Sequence, residues 1–529
     1  MMKFEEIRDK IKDYPYSFGG YKDLGEFYRE KKDNVNQAYL CYEQAYDLCE
    51  DPEAGTELQR LMQECRQDSR FCVNSVSIVI LSYNSRDMMI DCLQSIRNNC
   101  VLGSYEVVIV DNDSKDGIRE YLLNQKDIVL QLNNHNTSFA EGCNQGIRLS
   151  NPENDILLLN NDTIVPPFAL FYMRLALYDS EDIAAVGPTS NAVLISQLAP
   201  GSFSSKEQWL ENAKNVHIPS LHALENKVWL VGFSLLIKRK AWDLTGNLDE
   251  RFVRGLYEDT DYGFRLNTNG YRSVLCHNAF IYHYGSVSMK KDPVAYNQSL
   301  KDNEERLNQK LGIRFNRYMS CHTELVDMLK STAEGKISVL EVGCGFGLTL
   351  SKIEYRYPNA YTVGIETDKS AVRIGSRVAN VICADIERDA LSFEKESFDY
   401  ILCSNAINYF NDARKAMGII KKYLKPSGTL LVLQPNPMNA ENVIGILSGK
   451  FETIERMEKG VKHLYTVKET IQLLSEAGWQ PCSILKMVTE YMEHHPKEKS
   501  LLEAIGTMQG VTIGDDFRVQ SYIISCSRR

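Results

Sequence analysis

The chain has 529 residues, 43% of them hydrophobic, and carries 60 Lys and Arg against 70 Asp and Glu, for a formal net charge of −10 and a pI near 5.6. A length like this holds roughly two to four domains, each able to bury its own core. An acidic balance with no Lys/Arg-rich run disfavours nonspecific binding to nucleic acid or to an anionic membrane surface.

The chain opens on MMKFEEIRDKIKDY, which is charged and has no apolar signal core. Residues 1–70 read as helical, because apolar and small residues recur at three- and four-residue steps through LGEFYREKKDNVNQAYLCYEQAYDLC. The spacing of Leu24, Gly25, Tyr28, Ala38, Tyr42 and Ala45 resembles one tetratricopeptide unit. A lone repeat cannot bury both faces, so it must pack on its own neighbour or on a protein partner.

From Val73 the pattern changes. VSIVILSYN and SYEVVIVDNDS are apolar runs ended by turn residues, with the helical periodicity of RDMMIDCLQSIRNN between them. IVLQLNN and DILLLNND follow as strands, with helical stretches around AEGCNQGIRLS and FALFYMRLALY. This alternation predicts an α/β fold with a doubly wound, Rossmann-like sheet over residues 71–290. VWLVGFSLLIKRKAW and SVLCHNAFIYHYG are its last apolar pieces. Residues 291–334 are polar and helical, a connector. Over 335–529, ISVLEVGCGFG starts a second alternation with YTVGIE, NVICAD, FDYILCSN and TLLVLQP as strands, and a cap and final strands close it.

Ligands of parallel sheets bind at the carboxyl ends of strands. In the first alternation those ends carry Tyr83, Asn84 and Ser85, then Asp111, Asn112, Asp113, Ser114 and Asp116, then Asn160, Asn161 and Asp162. Each residue type also suits a tight turn, but three successive polar exits are more than turns require. SVSIVILSYNS, EVVIVDNDSKDG, LLLNND and GLYEDTDYGFRLNTNGYR, in this order, resemble the inverting family 2 glycosyltransferases of the GT-A fold. The resemblance implies that Tyr83, Asn84, Asp111 and Asp113 hold the nucleotide of a nucleotide-sugar donor. LLLNND stands where the family has Asp-x-Asp, so Asp162 is the expected ligand of Mn²⁺ or Mg²⁺. Such a cation neutralises the departing diphosphate and takes oxygen ligands. Asn160 replaces the first acid and can still hydrogen-bond the ribose. Ser138 stands where the family has Gly. Within GLYEDTDYGFR, the resemblance makes Asp259 the base for the acceptor hydroxyl, with Glu258 and Asp261 orienting it. It also makes His283, in FIYHYGS, a second metal ligand; the residue alone equally suits a hydrogen-bonded structural role.

In the second alternation, Gly343, Gly345 and Gly347 follow a strand with spacing G-x-G-x-G, where a dinucleotide loop needs G-x-G-x-x-G. With Glu366 and Asp385 at the next two strand exits, the region resembles class I S-adenosylmethionine-dependent methyltransferases. That resemblance implies that Glu341 and the glycine loop take the methionyl part, Glu366 the ribose hydroxyls and Asp385 the adenine amino group. His463 is the positional candidate for a methylation base, beside the reading of a packed cap residue; Asn408 and Tyr409 are candidates to line the acceptor pocket.

The fourteen Cys are scattered, with no CxxC pair, and Cys276, Cys383 and Cys403 lie in apolar runs. A reducing compartment fits. No run is long and apolar enough for a transmembrane helix, so the expected location is cytoplasmic, with peripheral attachment at the inner membrane face compatible. The expectation as a whole is a bifunctional enzyme of bacterial surface-glycan assembly. One domain transfers a sugar, a deoxyhexose such as rhamnose being the first choice, to a glycan, lipid-linked glycan or glycoprotein acceptor; the other O-methylates a sugar hydroxyl. The alternative is a partner-recruiting scaffold with one active domain.

Overall fold

The run VSIVILS forms β1 (Val76–Ser82), and its side chains alternate. Val76, Ile78 and Ile80 enter one hydrophobic layer, and Val79 enters the layer on the opposite face of the sheet. A strand buried on both faces is the mark of a sheet covered by helices on both sides. This chain has two such sheets, one in each of the compact units Met1–Ile313 and Arg314–Arg529. The structure is a computed structural model that describes residues 2–285, 293–449, 460–508 and 515–529.

In the first unit the remaining strands are β2 (Tyr105–Asp111), β3 (Ile128–Leu132), β4 (Asp155–Asn160), β5 (Thr163–Ile164), β6 (Ile183–Thr189), β7 (Leu224–Lys227), β8 (Ser234–Ile237), β9 (Arg272–Phe280) and β10 (Tyr282–His283). The sheet order is β3-β2-β1-β4-β8-β6-β9-β7, and β5 pairs with β10 as a separate ribbon. β1 to β4 are parallel to one another, whereas β8 runs antiparallel to both β4 and β6. The doubly wound half is therefore joined to a mixed half. The expected long ridge VWLVGFSLLIKRKAW breaks into a loop, the short β8 and a helix.

Among the described residues of this unit the α-helices are α1 (Phe4–Asp13), α2 (Phe18–Lys31), α3 (Val35–Asp47), α4 (Pro52–Gln67), α5 (Arg86–Asn99), α6 (Ile118–Leu123), α7 (Phe139–Leu149), α8 (Ala169–Leu177), α9 (Lys206–Val216), α10 (Arg239–Thr245), α11 (Glu258–Thr268) and α12 (Pro293–Leu311). The six positions that suggested a tetratricopeptide unit are buried in the α2–α3 hairpin. Gly25 is needed there, since a Cβ would lie 2.4 Å from the Tyr42 ring. No array of repeats forms, and the inner face of the hairpin rests on α8 of the same unit. Tyr21 stacks on Phe168 and meets the edge of Phe171, Gln37 Nε2 donates to Leu175 O (2.9 Å), and the buried Arg174 pairs with Glu43. The apolar face that was expected to pack on a neighbour or on a protein partner is covered by the chain itself.

The second unit orders its strands β13-β12-β11-β14-β15-β17-β16. These are β11 (Ser338–Val342), β12 (Tyr361–Glu366), β13 (Val381–Cys383), β14 (Phe398–Ser404), β15 (Leu424–Pro435), β16 (Trp479–Val488) and β17 (Val519–Arg528). β11 to β15 are parallel, and β17 is antiparallel to β15 and β16. Both sheets reverse their order beside the first strand, which opens a crevice at the carboxyl ends of β1/β4 and of β11/β14. The expected connector is shared out: α12 lies in the first unit, and residues 314–334 lie in the second. The expected boundary at residues 290–291 lies outside the described residues.

Candidate active sites

In the first unit the exits of β1, β2 and β4 fold into one cluster. Asn84, Ser85 and Asp113 have φ of 56°, 62° and 64°. Asn and Asp tolerate this left-handed conformation better than most residues, so the same residues make the turns and face the crevice. Asn84 N donates to Ser114 Oγ (2.8 Å), and Asn161 Nδ2 donates to Asn84 O (3.4 Å). Asp111 is fully buried; its Oδ1 accepts from Ser114 N and sits 3.1 Å from Arg119 Nε, while Oδ2 has no hydrogen-bond partner. A buried, unpaired acceptor calls for a donor, and the N–H of a pyrimidine base is one. Asp113 is engaged by Lys115, which holds its carboxyl below the usual range, and by Arg119. Tyr83 is exposed, leaving its ring available for stacking.

The β5–β10 ribbon sets His283 opposite Thr163, and His283 Nε2 lies 3.2 Å from Asp162 Oδ1. The other ring nitrogen, Nδ1, meets Ala192 O at 2.7 Å and so carries its hydrogen, which leaves Nε2 turned to the carboxylate. Burial lowers the affinity of this ring for a proton, but Asp162 outweighs burial and the net shift is upward. An imidazole nitrogen and a carboxylate oxygen facing each other fit part of a coordination sphere, of a donor type that suits Mn²⁺. Among the described residues no group of three or more His, Cys, Asp or Glu could hold a metal. A cation here would take its other ligands from diphosphate oxygens and water, as divalent ions at phosphate sites do.

The acidic segment begins α11. Tyr257 precedes it with φ of 75°, a strained conformation that aims the first turn. Asp259 accepts three hydrogen bonds: Gly232 N to Oδ2 (2.9 Å), and Thr260 N (2.6 Å) and Thr260 Oγ1 (3.2 Å) to Oδ1. Glu258 is buried, with Oε2 unpartnered. Burial raises both carboxyls, Glu258 well above the ordinary range with the charge of Asp259 adding to it. The three donors favour charge on Asp259, so Glu258 is the member that holds the proton. Asp261 faces elsewhere. Its fully buried carboxylate meets Arg265 Nε at 2.8 Å and Lys310 Nζ of α12 at 2.6 Å. Oδ2 accepts from Arg265, and Oδ1, without a well-formed hydrogen bond, faces the Lys310 ammonium, so this carboxylate is tied to α12.

Residues 229–233 tie these parts together, and no sequence motif announced them. Gly232 N holds Asp259, Phe233 O accepts from Asn160 N (2.8 Å), and the Phe233 ring stacks on His283 with centroids 5.1 Å apart. Gln197 fixes this strap, accepting from Val231 N at 2.6 Å and donating to Pro188 O at 3.1 Å. Gly263 lets α11 reach it, because a Cβ there would lie 2.8 Å from Val228 O. The side chains of Asp259 and of the Asp162–His283 pair are thus served by neighbouring residues of one short segment.

In the second unit a cavity of about 560 Å³ opens over the glycine loop, within the roughly 300–1,000 Å³ common for small-molecule sites. Glu341, Glu366, Asp385, Asn408 and Tyr409 all line it. Gly343, Gly345 and Gly347 have φ of 76°, 54° and 75°, and a Cβ on Gly345 would lie 2.7 Å from Tyr318 O. Glu341 is buried; Ser404 Oγ donates to its Oε1 (2.8 Å) and Oε2 has no partner. Burial pushes its pKa up to about 7, against the opposing charge of His322. Glu366 accepts from Thr367 N, Asp368 N and Gly345 N, which knits the β12 exit to the glycine loop. Asp385 accepts from Glu387 N at 2.9 Å. This cradle, with its unpaired buried carboxylate oxygen, fits a cationic nucleoside such as S-adenosylmethionine. His463 is exposed and does not line the cavity: its main chain bonds Asn408 O while its ring packs against Tyr465 at 5.3 Å. Arg317, Tyr318 and His322, from the supposed connector, do line it.

Comparison with known proteins finds one family in each unit. The family described as glycosyl transferase family 2 matches residues 77–207, and the family described as methyltransferase domain matches residues 340–432. An N-acetylglucosaminyl-diphospho-decaprenol L-rhamnosyltransferase of Mycobacterium tuberculosis is 37% identical over 68 residues, 13% of this chain and 22% of that protein. A malonyl-[acyl-carrier protein] O-methyltransferase of Priestia megaterium is 26% identical over 140 residues, 23% of this chain and 50% of the relative. An uncharacterized protein of Methanocaldococcus jannaschii, MJ0906, is 23% identical over 199 residues, 37% of this chain and 50% of its own length. The chain thus spans at most about half the length of these curated relatives.

Proposed function

We propose that this chain, which carries a family 2 glycosyltransferase domain and an S-adenosylmethionine-type methyltransferase domain, both transfers a sugar and O-methylates a hydroxyl of a glycan. The carrying observation is the strap at residues 229–233, which serves Asp259 on one side and Asn160 and His283 on the other. Tyr83, Asn84 and Asp111 bind the base of a nucleoside-diphosphate sugar, with Asp113 part of the same nucleotide site and Asn160 at the ribose. Asp259 takes the proton of the acceptor hydroxyl. The acceptor oxygen then attacks the anomeric carbon as the bond to the diphosphate breaks, a single displacement that inverts the centre. Asp162 and His283 would hold a divalent cation, which would supply charge neutralisation at the leaving diphosphate.

In the second unit Glu341, Glu366, Asp385 and the glycine loop bind and orient the methyl donor. The sugar read first is a deoxyhexose such as rhamnose, given the relative in M. tuberculosis. The acceptor class is a glycan, lipid-linked glycan or glycoprotein of a bacterial surface. The location read is the cytoplasm, with peripheral attachment at the inner face of the membrane allowed. Free thiols at all fourteen Cys support it, and no described helix is long and apolar enough to cross a membrane.

The test is to incubate the full chain with Mn²⁺ and a panel of deoxythymidine- and uridine-diphosphate sugars and to follow nucleoside diphosphate release. One donor should turn over, EDTA should stop it, and Asp259→Asn should lower transfer by about 10² to 10⁴ at an unchanged melting temperature. Full activity of Asp259→Asn would defeat the assignment, and no turnover of any donor would favour the scaffold.

A further inference from the structure

The cavity of the second unit has two chemically different ends. Its carboxylates, Glu341, Glu366, Asp385 and Glu387, come from β11 and from the exits of β12 and β13, beside the proposed methyl-donor cradle. The exits of β14 and β15, with the start of β17, supply amides instead: Asn405, Asn408, Gln434, Asn436 and Gln520. Two of these amides are incomplete. Gln434 is 1% exposed, and its Nε2 donates to Asn408 Oδ1 (3.0 Å) and Tyr465 O (3.1 Å). A main-chain carbonyl can only accept, so the Tyr465 contact fixes which end of the amide is nitrogen. The carbonyl oxygen, Gln434 Oε1, is buried without a hydrogen-bond partner, and so is Asn405 Oδ1. Asn405 leaves β14 at φ of 59° with its N–H on Leu433 O, so its place is set by the backbone.

We infer that Gln434 and Asn405 select the methyl acceptor, by offering two carbonyl oxygens to a neutral, hydroxyl-bearing ligand, a sugar ring. Buried acceptors of this kind need donors, and a sugar brings several O–H groups. A carboxylate brings none and would set its own charge against both oxygens. The only cationic or imidazole side chains among the described lining residues are Arg317 and His322, both from the segment before β11. In the reaction an acceptor hydroxyl oxygen bonds to the methyl carbon, the sulfur–carbon electron pair returns to sulfur, and the hydroxyl proton leaves to water. Methyl ether and S-adenosylhomocysteine result. This assignment rests on the methyl-transfer reading above and adds the residues that select its acceptor. It also sets the chain apart from the malonyl-[acyl-carrier protein] O-methyltransferase relative.

The test uses the full chain, tritiated S-adenosylmethionine and two acceptors, p-nitrophenyl α-L-rhamnopyranoside and malonyl-N-acetylcysteamine. Ligand-observed NMR follows glycoside binding to the S-adenosylhomocysteine complex. The glycoside should be methylated at least about tenfold more efficiently than the malonyl thioester, and Gln434→Leu and Asn405→Gly should each cost about tenfold in kcat/KM. Both variants should lose the NMR signal of bound glycoside while S-adenosylhomocysteine binds as before. Asn405→Gly keeps the left-handed turn, so it reads the amide even if Gln434→Leu fails to fold. Preference for the malonyl thioester, or unchanged glycoside kinetics in Asn405→Gly, overturns the inference. A chain that does not bind S-adenosylhomocysteine overturns the methyl-transfer reading itself and this inference with it.

Discussion

Glu341 shows how a single buried residue makes a site responsive to pH. Its Oε2 is unpartnered and burial lifts its pKa to about 7, so near neutrality it is divided between acid and carboxylate. S-adenosylmethionine carries a sulfonium and an ammonium, and both favour the ionised form. Affinity should therefore rise as pH goes from 6 to 8, with proton release on binding. Glu341→Gln should bind more weakly and with little pH dependence, as calorimetric titration at several pH values would show. A wild-type affinity that is flat over this window would remove Glu341 from the cofactor cradle. At this scale the polar residues at strand exits are readable in sequence, because an apolar run that ends in Asn and Asp has few other uses. The Gly232 N–H that holds Asp259 is not readable, because a backbone donor leaves no trace in residue type.

Among the elements, α12 is held by a charge. Lys310 reaches Asp261, which is fully buried, and also Asp249 at 2.7 Å. Removing the cation leaves a carboxylate in the core with only Arg265. Lys310→Met should therefore destabilise the first unit by about 3 kcal/mol. Urea unfolding followed by the fluorescence of Trp209, Trp229 and Trp242 checks this, and adding Asp261→Asn should recover part of the loss. The helix itself was legible from its periodicity. Its attachment was not, since Lys310 and Asp261 are far apart in sequence, and a lysine on a polar helix usually faces water. The same holds for α3, whose buried Gln37 and half-buried Glu43 find partners on α8.

For the whole molecule, the split at Ile313/Arg314 leaves each sheet with its own hydrophobic layers on both faces. Residues 1–313 and 314–529 made separately should each fold. The first should release nucleoside diphosphate, and the second should bind S-adenosylhomocysteine with the affinity of the full chain; aggregation of either piece would show that the units are not independent. Strand and helix alternation, the glycine turn and the order of the polar strand exits were set by local sequence, because each depends on residues a few positions apart. The antiparallel β8, the seat of the N-terminal hairpin on α8, the ion pairs of Asp261 and the position of His463 outside the cavity were decided only in three dimensions. Each of these turns on which distant surface covers a side chain, and burial depends on neighbours that the local pattern does not name.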